Sequence, residues 1–265
     1  MKAFVIPLCL LLLLTGCHPA GASLPKPWQD AVEQATSVQE QEAPAESEPP
    51  LAEKTAIEEN EFAEILYSPA EGFAVRSLFN ELEERITGNS WQENDFLALE
   101  DLSYLTLLHL DFEGNIRQGE MIVHHTLARE VADIFWELYQ AEYPIHRVSL
   151  VEEFDCDDAA SMEANNTSCF NMRLISGTRR PSHHSYGSAV DLNPLQNPYV
   201  TASAVLPSRE YLERGDARPG MITEGDLCYE AFVSRGWSWG GYWPNPDYQH
   251  FEKPVESARQ NPSIE

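Results

Sequence analysis

Between Tyr104 and Pro144 the chain places two apolar-rich runs around "DFEGN" and then changes period, and this stretch limits the fold more than any other. The runs on either side of that turn signal predict a β-hairpin over residues 104–125. From Thr126 the spacing becomes helical. Leu127, Val131, Ile134, Phe135 and Leu138 share one face, Thr126 offers a cap, and Pro144 stops the run, so a helix is expected over 126–144. Helical and antiparallel signals are mixed here and do not alternate as β-α-β, which points to an α+β fold and away from a doubly wound sheet.

The flanking sequence adds further elements. "VRSLFNELEERITGN" predicts a helix over 75–89 ending at glycine, and "IHRVSLVEEF" predicts a strand from Ile145. Residues 155–180 read as a long polar loop. Thr223 and Asp226 form a capping box ahead of "LCYEAFVSRGW", a short helix closed by Gly236. No internal repeat is visible, and no second boundary follows residue 65, so 65–265 is expected to be one domain.

The N-terminus sets an expectation about compartment. Lys2 precedes an apolar run from Ala3 to Leu14, too short to span a bilayer as a mature helix and suited to a signal-peptide core over 1–16. The "LTGC" that follows resembles the bacterial lipobox, which implies lipidation at Cys17. His18 next to it favours the outer membrane over inner-membrane retention. Residues 17–64 then hold "QEQEAPAESEPPLAEKTAIEENE". From Gly21 to Glu64 eleven acids stand against Lys26 and Lys54, with few large apolar residues, so an acidic disordered tether is expected. As a coil it would reach roughly 35–40 Å. The formal charge of the whole chain is −26, which excludes a nucleic-acid partner held by counterion release and disfavours electrostatic binding to an anionic membrane. Attachment would rest on covalent lipid.

Three cysteines lie in the body, Cys156, Cys169 and Cys228. An exported protein can oxidise two of them. Cys156–Cys169 is the nearest pair and would staple the loop between them, although an odd count leaves one thiol over. None of the three has the paired spacing of a cysteine zinc site.

"SHHSYGSAVDLNP" (Ser182 to Pro194) carries the chemistry. A hydrolytic zinc site takes three protein ligands and leaves a fourth position for water. One of the adjacent histidines His183 and His184, together with Asp191, could supply two of them, and "DYQHFE" offers His250 as a third. Gly187 and Ala189 would leave room beside the ion. Asp247 precedes His250 by three residues, and its carboxylate suits a general base for metal-bound water. Each residue also has an ordinary reading: a lone histidine is usually a surface or core residue, and Asp191 or Asp247 can cap a turn. The two segments together are more specific than either alone.

These residues resemble a family. "SHHSYGSAVDLNP" matches the S-x-H-x-x-G-x-A-x-D signature of the zinc D-alanyl-D-alanine carboxypeptidases and L-alanyl-D-glutamate endopeptidases, which cut peptidoglycan peptides. "GWSWGG" followed by "DYQHFE" is similar to that family's C-terminal motif, and "SMEANNTSCFNMR" (Ser161 to Arg173) to the segment ahead of the signature. The resemblance runs from about Ile86 to Pro254. Its register begins at Ser182, which implies His184 as the ligand and leaves His183 at a variable position. It further implies one Zn²⁺ ion on His184, Asp191 and His250, Asp247 as catalytic base, and Arg173 steadying the oxyanion. The expected fold is a small antiparallel sheet flanked by helices, with the zinc site in a central cleft.

Around this core, Arg179 and Arg180 are runners-up for the oxyanion role or for gripping a substrate carboxylate, with ordinary surface charge in a loop as the other reading. Glu252 is a candidate to orient a ligand if its segment is a strand. Trp237, Trp239 and Trp243 are candidates to wall the cleft, with core packing expected for at least one of them. The expected activity is zinc-dependent hydrolysis of stem peptides or cross-links by a monomer, lipid-anchored in the envelope and facing the periplasm. Two other readings stand beside it. One is a non-catalytic wall-binding lipoprotein that keeps the metal; the other is a metal-bearing sensor or scaffold. A missing ligand or base would favour either, and none is missing. No G-x-S-x-G elbow supports serine catalysis.

Overall fold

A computed structural model describes residues 63–175 and 177–256. The signal segment, Cys17 and the tether up to residue 62 lie outside the described residues.

The strands and helices are β1 (Ile65–Tyr67), β2 (Ala74–Ser77), α1 (Asn80–Ile86), β3 (Leu102–Leu110), β4 (Ile116–His124), α2 (His125–Gln140), β5 (Arg147–Val148), α3 (Asp158–Glu163), β6 (Asn166–Thr167), β7 (Ala189–Asp191), β8 (Tyr199–Val200), β9 (Val205–Leu206), α4 (Leu227–Val233), β10 (Ser238–Trp239) and β11 (His250–Glu252). The first four strands form an antiparallel sheet in the order β1-β2-β3-β4. The hairpin β3–β4 turns at Asp111, whose carboxylate accepts from the backbone N–H of Glu113 and Asn115, with Gly114 supplying the left-handed residue.

Both faces of this sheet are covered. Leu105, Leu107, Met121 and Val123 pack with Val131, Phe135 and Leu138 of α2. On the other face Leu102 and Ile122 pack with Leu82 and Ile86 of α1. Mixed helix and antiparallel sheet is the fold class the sequence pattern predicts. The helix α2 forms where expected but ends at Gln140, four residues before Pro144, and its cap is His124, whose side chain accepts from the Thr126 N–H; Thr126 itself is inside the first turn.

Three expectations change. The helix predicted over 75–89 shrinks to α1, because Val75, Arg76 and Ser77 pair with Leu105, Tyr104 and Ser103. Sheet closure outweighs the helical spacing there. The strand expected from Ile145 shortens to β5, which pairs in parallel with β6 before a 3₁₀ turn over Val151–Phe154. The supposed loop 155–180 contains α3, capped by the Asp157 carboxylate on the N–H groups of Ala159 and Ala160. The cysteines also differ from the disulfide expectation: Cys156, Cys169 and Cys228 are all free. Cys169 is buried in the main apolar core, whereas Cys156 is half-buried.

A second sheet, in the order β10-β11-β7, positions the chemistry. Its register sets His250 opposite Asp191, Phe251 opposite Val190 and Glu252 opposite Ala189. Phe251 points into the core and stacks on Phe232 of α4 at 4.2 Å between ring centroids. Alternation along β11 therefore turns His250 and Glu252 to the opposite face.

Candidate metal centre

His184, Asp191 and His250 are all buried, and one ligand atom from each lies within 4.8 Å of the others. The closest approaches are His184 Nε2 to Asp191 Oδ2 at 3.1 Å, His250 Nδ1 to Asp191 Oδ1 at 2.9 Å, and His184 Nε2 to His250 Nδ1 at 3.2 Å. Ligand atoms 2.0–2.1 Å from a tetrahedral ion stand about 3.3 Å apart, so two imidazoles and a carboxylate at this spacing fit zinc with little adjustment.

The remaining ring nitrogens are fixed by other partners. His184 Nδ1 donates to the Cys169 carbonyl at 2.5 Å, which leaves Nε2 facing the cluster. His250 Nε2 contacts Glu252 Oε2 at 3.1 Å, which leaves Nδ1 facing it. Such outer partners select the tautomer and hold the ring plane. Replacing Glu252 with alanine is expected to weaken zinc affinity about 10–100-fold, measured by competition with a chelating dye, while the fold persists. An unchanged affinity would remove Glu252 from this role.

His183 is not turned to the cluster. Its Nδ1 meets Ser188 Oγ at 3.2 Å, and its Nε2 lies 3.8 Å from Glu252 Oε1. His183 and His184 sit on a 3₁₀ turn over His183–Tyr186, which Gly187 ends in the left-handed region. A Cβ at Gly187 would come within 2.6 Å of the His124 backbone nitrogen. Its small size thus serves the junction with β4, where the sequence suggested room for the ion.

Electrostatics in the metal-free cluster follow from burial and pairing. Burial alone would lower the His250 pKa, but hydrogen bonds to Asp191 and Glu252 outweigh it and raise it to about 10. Burial alone would raise Asp191; His184 and His250 reverse this and hold it well below the ordinary carboxylate range. Asp247 is half-buried, and burial followed by the Asp191 charge raises it to about 7, with His250, Gln249 and Arg173 pulling the other way.

The turn that carries Asp247 is tightly packed. Its N–H donates to the Gly240 carbonyl at 3.0 Å, and a Cβ at Gly240 would stand 2.6 Å from the Asp247 carbonyl oxygen. Substituting Gly240 with valine is expected to strain this turn and to cost about 1–3 kcal/mol of stability, read as a lower denaturation midpoint. An unchanged midpoint would show the turn to be pliable.

Arg173 pairs with Asp158 of α3 at 3.2 Å. Its backbone is locked to the histidine turn, since Ser185 Oγ donates to the Arg173 carbonyl and accepts from its N–H. Its field reaches Asp247. Arg179 and Arg180 are exposed, and Arg180 lines a pocket of about 350 Å³ with Pro181, His183 and Tyr186. They do not join the cluster. Trp237 and Trp239 are core residues, where the sequence offered them as cleft walls. Trp237 donates to Glu130, and Trp239 donates to the Tyr248 carbonyl from within an aromatic nest of Tyr229, Tyr242 and Tyr248. Trp243 is the tryptophan beside the site, 37% exposed with its ring 5.2 Å from that of His250.

Sequence reasoning passes over the Cys169 carbonyl, Ser185 and Gln249. A backbone oxygen has no residue type to read, and serine and glutamine are common enough to carry no signal. The "GG" at 240–241 shows its packing reason only in the folded chain, where Gly240 lies against the Asp247 turn and Gly241 against the Trp239 ring.

Residues 176–253 match the model of a family described as D-alanyl-D-alanine carboxypeptidase. No match was found among curated proteins or among solved structures. The matched segment contains His184, Asp191, Asp247, His250 and Glu252. Arg173 and α3 lie before it.

Proposed function

We propose that this chain, whose segment 176–253 matches the model of the D-alanyl-D-alanine carboxypeptidase family, is a zinc-dependent peptidase of peptidoglycan stem peptides. We read removal of a terminal D-alanine as its first activity, with cleavage of D,D cross-links or of an L-Ala–D-Glu bond next in order. The observation that carries this reading is the buried His184–Asp191–His250 cluster with the Asp247 carboxylate held beside it. A bound zinc ion would supply Lewis acidity and an acidified water. The chain's own residues do the rest. Asp247 takes the proton of the attacking water and returns it to the departing amine, and the Arg173 guanidinium offsets negative charge growing on the scissile carbonyl oxygen. Trp243 borders the place where substrate enters.

The location we propose for this activity is the envelope. The "LTGC" stretch supports a lipid anchor at Cys17 in the outer membrane, and the acidic segment after it a spacer that lets a monomeric domain reach wall peptides in the periplasm. The test is to incubate the zinc-loaded protein, with a His184→Ala control, with purified cross-linked and uncross-linked muropeptides, and to read the products by mass spectrometry. Loss of a terminal alanine from the pentapeptide by wild type alone is the expected result. Zinc bound with no product from any substrate would overturn the reading in favour of a wall-binding module.

A further inference from the structure

Gln249 sits between the proposed base and a metal ligand, and almost none of it is exposed to solvent (1%). Its carbonyl accepts from the Leu192 N–H at 3.0 Å, which ties its backbone to the residue after Asp191. Its side-chain amide donates to Asp247 Oδ1 at 3.2 Å, and the same nitrogen rests 3.5 Å from Met162 Sδ on α3. Against the ionised Asp247 that acts as base, the opposite amide orientation would set a carbonyl oxygen against a carboxylate oxygen at that distance, so the donor faces Asp247. The other end of the amide, Oε1, is buried and has no hydrogen-bond partner among the described residues. For stability alone this is a poor use of a buried position, since methionine would fill similar space without a polar atom left over.

We propose that Gln249 is a positioning residue for the base: its amide holds one oxygen of Asp247 and so leaves the other aimed at the water to be deprotonated. Asp247 on a turn has a freely rotating carboxylate unless one oxygen is tied. A tie from a side chain whose own backbone is bonded to the Asp191 strand keeps base and ligands in one frame. Met162 closes the far side, so α3 supports both partners of the reaction, pairing Asp158 with Arg173 and placing Met162 against Gln249. The inference rests on the peptidase reading for its kinetic consequence, but not for its geometry.

The experiment uses the full chain loaded with zinc, in wild-type, Gln249→Met, Gln249→Leu and Asp247→Asn forms. Selective ¹⁵N-glutamine labelling identifies the Gln249 side-chain amide as the pair of signals missing from Gln249→Met. Those signals are expected to move in Asp247→Asn and to exchange slowly with water in wild type. On whichever muropeptide wild type cleaves, Gln249→Met is expected to lower kcat about 10–100-fold with KM within about twofold, with zinc stoichiometry unchanged and a melting temperature no lower than wild type. Amide signals indifferent to Asp247→Asn, or a Gln249→Met enzyme with wild-type kcat, would overturn the proposal. So would a loss of activity that follows loss of zinc or of folding in both Gln249 variants. If wild type cleaves nothing, the peptidase reading falls, and the amide signals alone decide whether Gln249 holds Asp247.

Discussion

On the peptidase proposed above, Asp247→Asn is expected to lower kcat on muropeptides by about 10²–10⁴-fold and to leave zinc in place, because asparagine keeps the shape of the side chain and removes its ability to take a proton. Steady-state kinetics beside metal analysis checks this. Retention of more than a tenth of wild-type activity would assign the base elsewhere. The same change has a second, opposite consequence for stability. In the metal-free protein Asp247 has a folded pKa of about 7, above its ordinary value near 4. A carboxyl raised on folding binds its proton more tightly in the native state, so stability falls as pH climbs from about 4 to 7 and stays lowered beyond. The asparagine that replaces it in the variant carries no such charge. The metal-free variant is therefore expected to melt higher than wild type at pH 8, by about 2–4 °C for each kcal/mol relieved, with the difference gone below pH 4. In the zinc-loaded enzyme the dipositive ion favours the Asp247 anion, so the acid limb of the rate profile should fall below 7.

Zinc itself should be the largest single contributor to the stability of this domain. An ion present at about a thousand times its dissociation constant adds roughly 4 kcal/mol, or about 10 °C in melting temperature for a domain of this size. The gain depends on pH in a direction the cluster dictates. With no metal, His250 is protonated up to about pH 10, and its pairing with Asp191 and Glu252 supports the metal-free site fully below the unfolded histidine value near 6.5. That support is lost as pH rises through 10, and Asp191, held low, loses its share only in strong acid. Zinc uptake must displace the His250 proton, so the rise in melting temperature on adding zinc should grow from pH 6 to pH 9. Calorimetry with and without chelator reads it directly. A gain that shrank with pH would mean that His250 is not displaced and is not a ligand.

Much of this was legible from residue chemistry and spacing. The hairpin and the helix after it could be read because their periods are local, and Gly114 and Pro144 punctuate them. For the cluster, residue types and spacing left His183 and His184 open, and only the family resemblance, whose register begins at Ser182, singled out His184. What escaped was non-local. Val75 looks helical among its neighbours and becomes a strand only because Leu105 is opposite. Trp239 reads as a cleft wall until Tyr248 supplies its buried acceptor. Cys156 and Cys169 read as a disulfide from proximity in sequence, whereas the core draws one thiol inward.

The register that sets His250 against Asp191 also gives the ion a part in folding order. Residues on two strands separated by the whole of 192–249 become ligands only after that intervening segment, α4 included, has folded back. An extended chain brings no three ligands together, so metal uptake is expected to come late: only molecules that have joined the two strands can keep an ion. Stripping the metal should then release the backbone amides of Val190, Phe251 and Glu252 to deuterium before those of the β3–β4 hairpin, with the domain opening first along the seam that closed last.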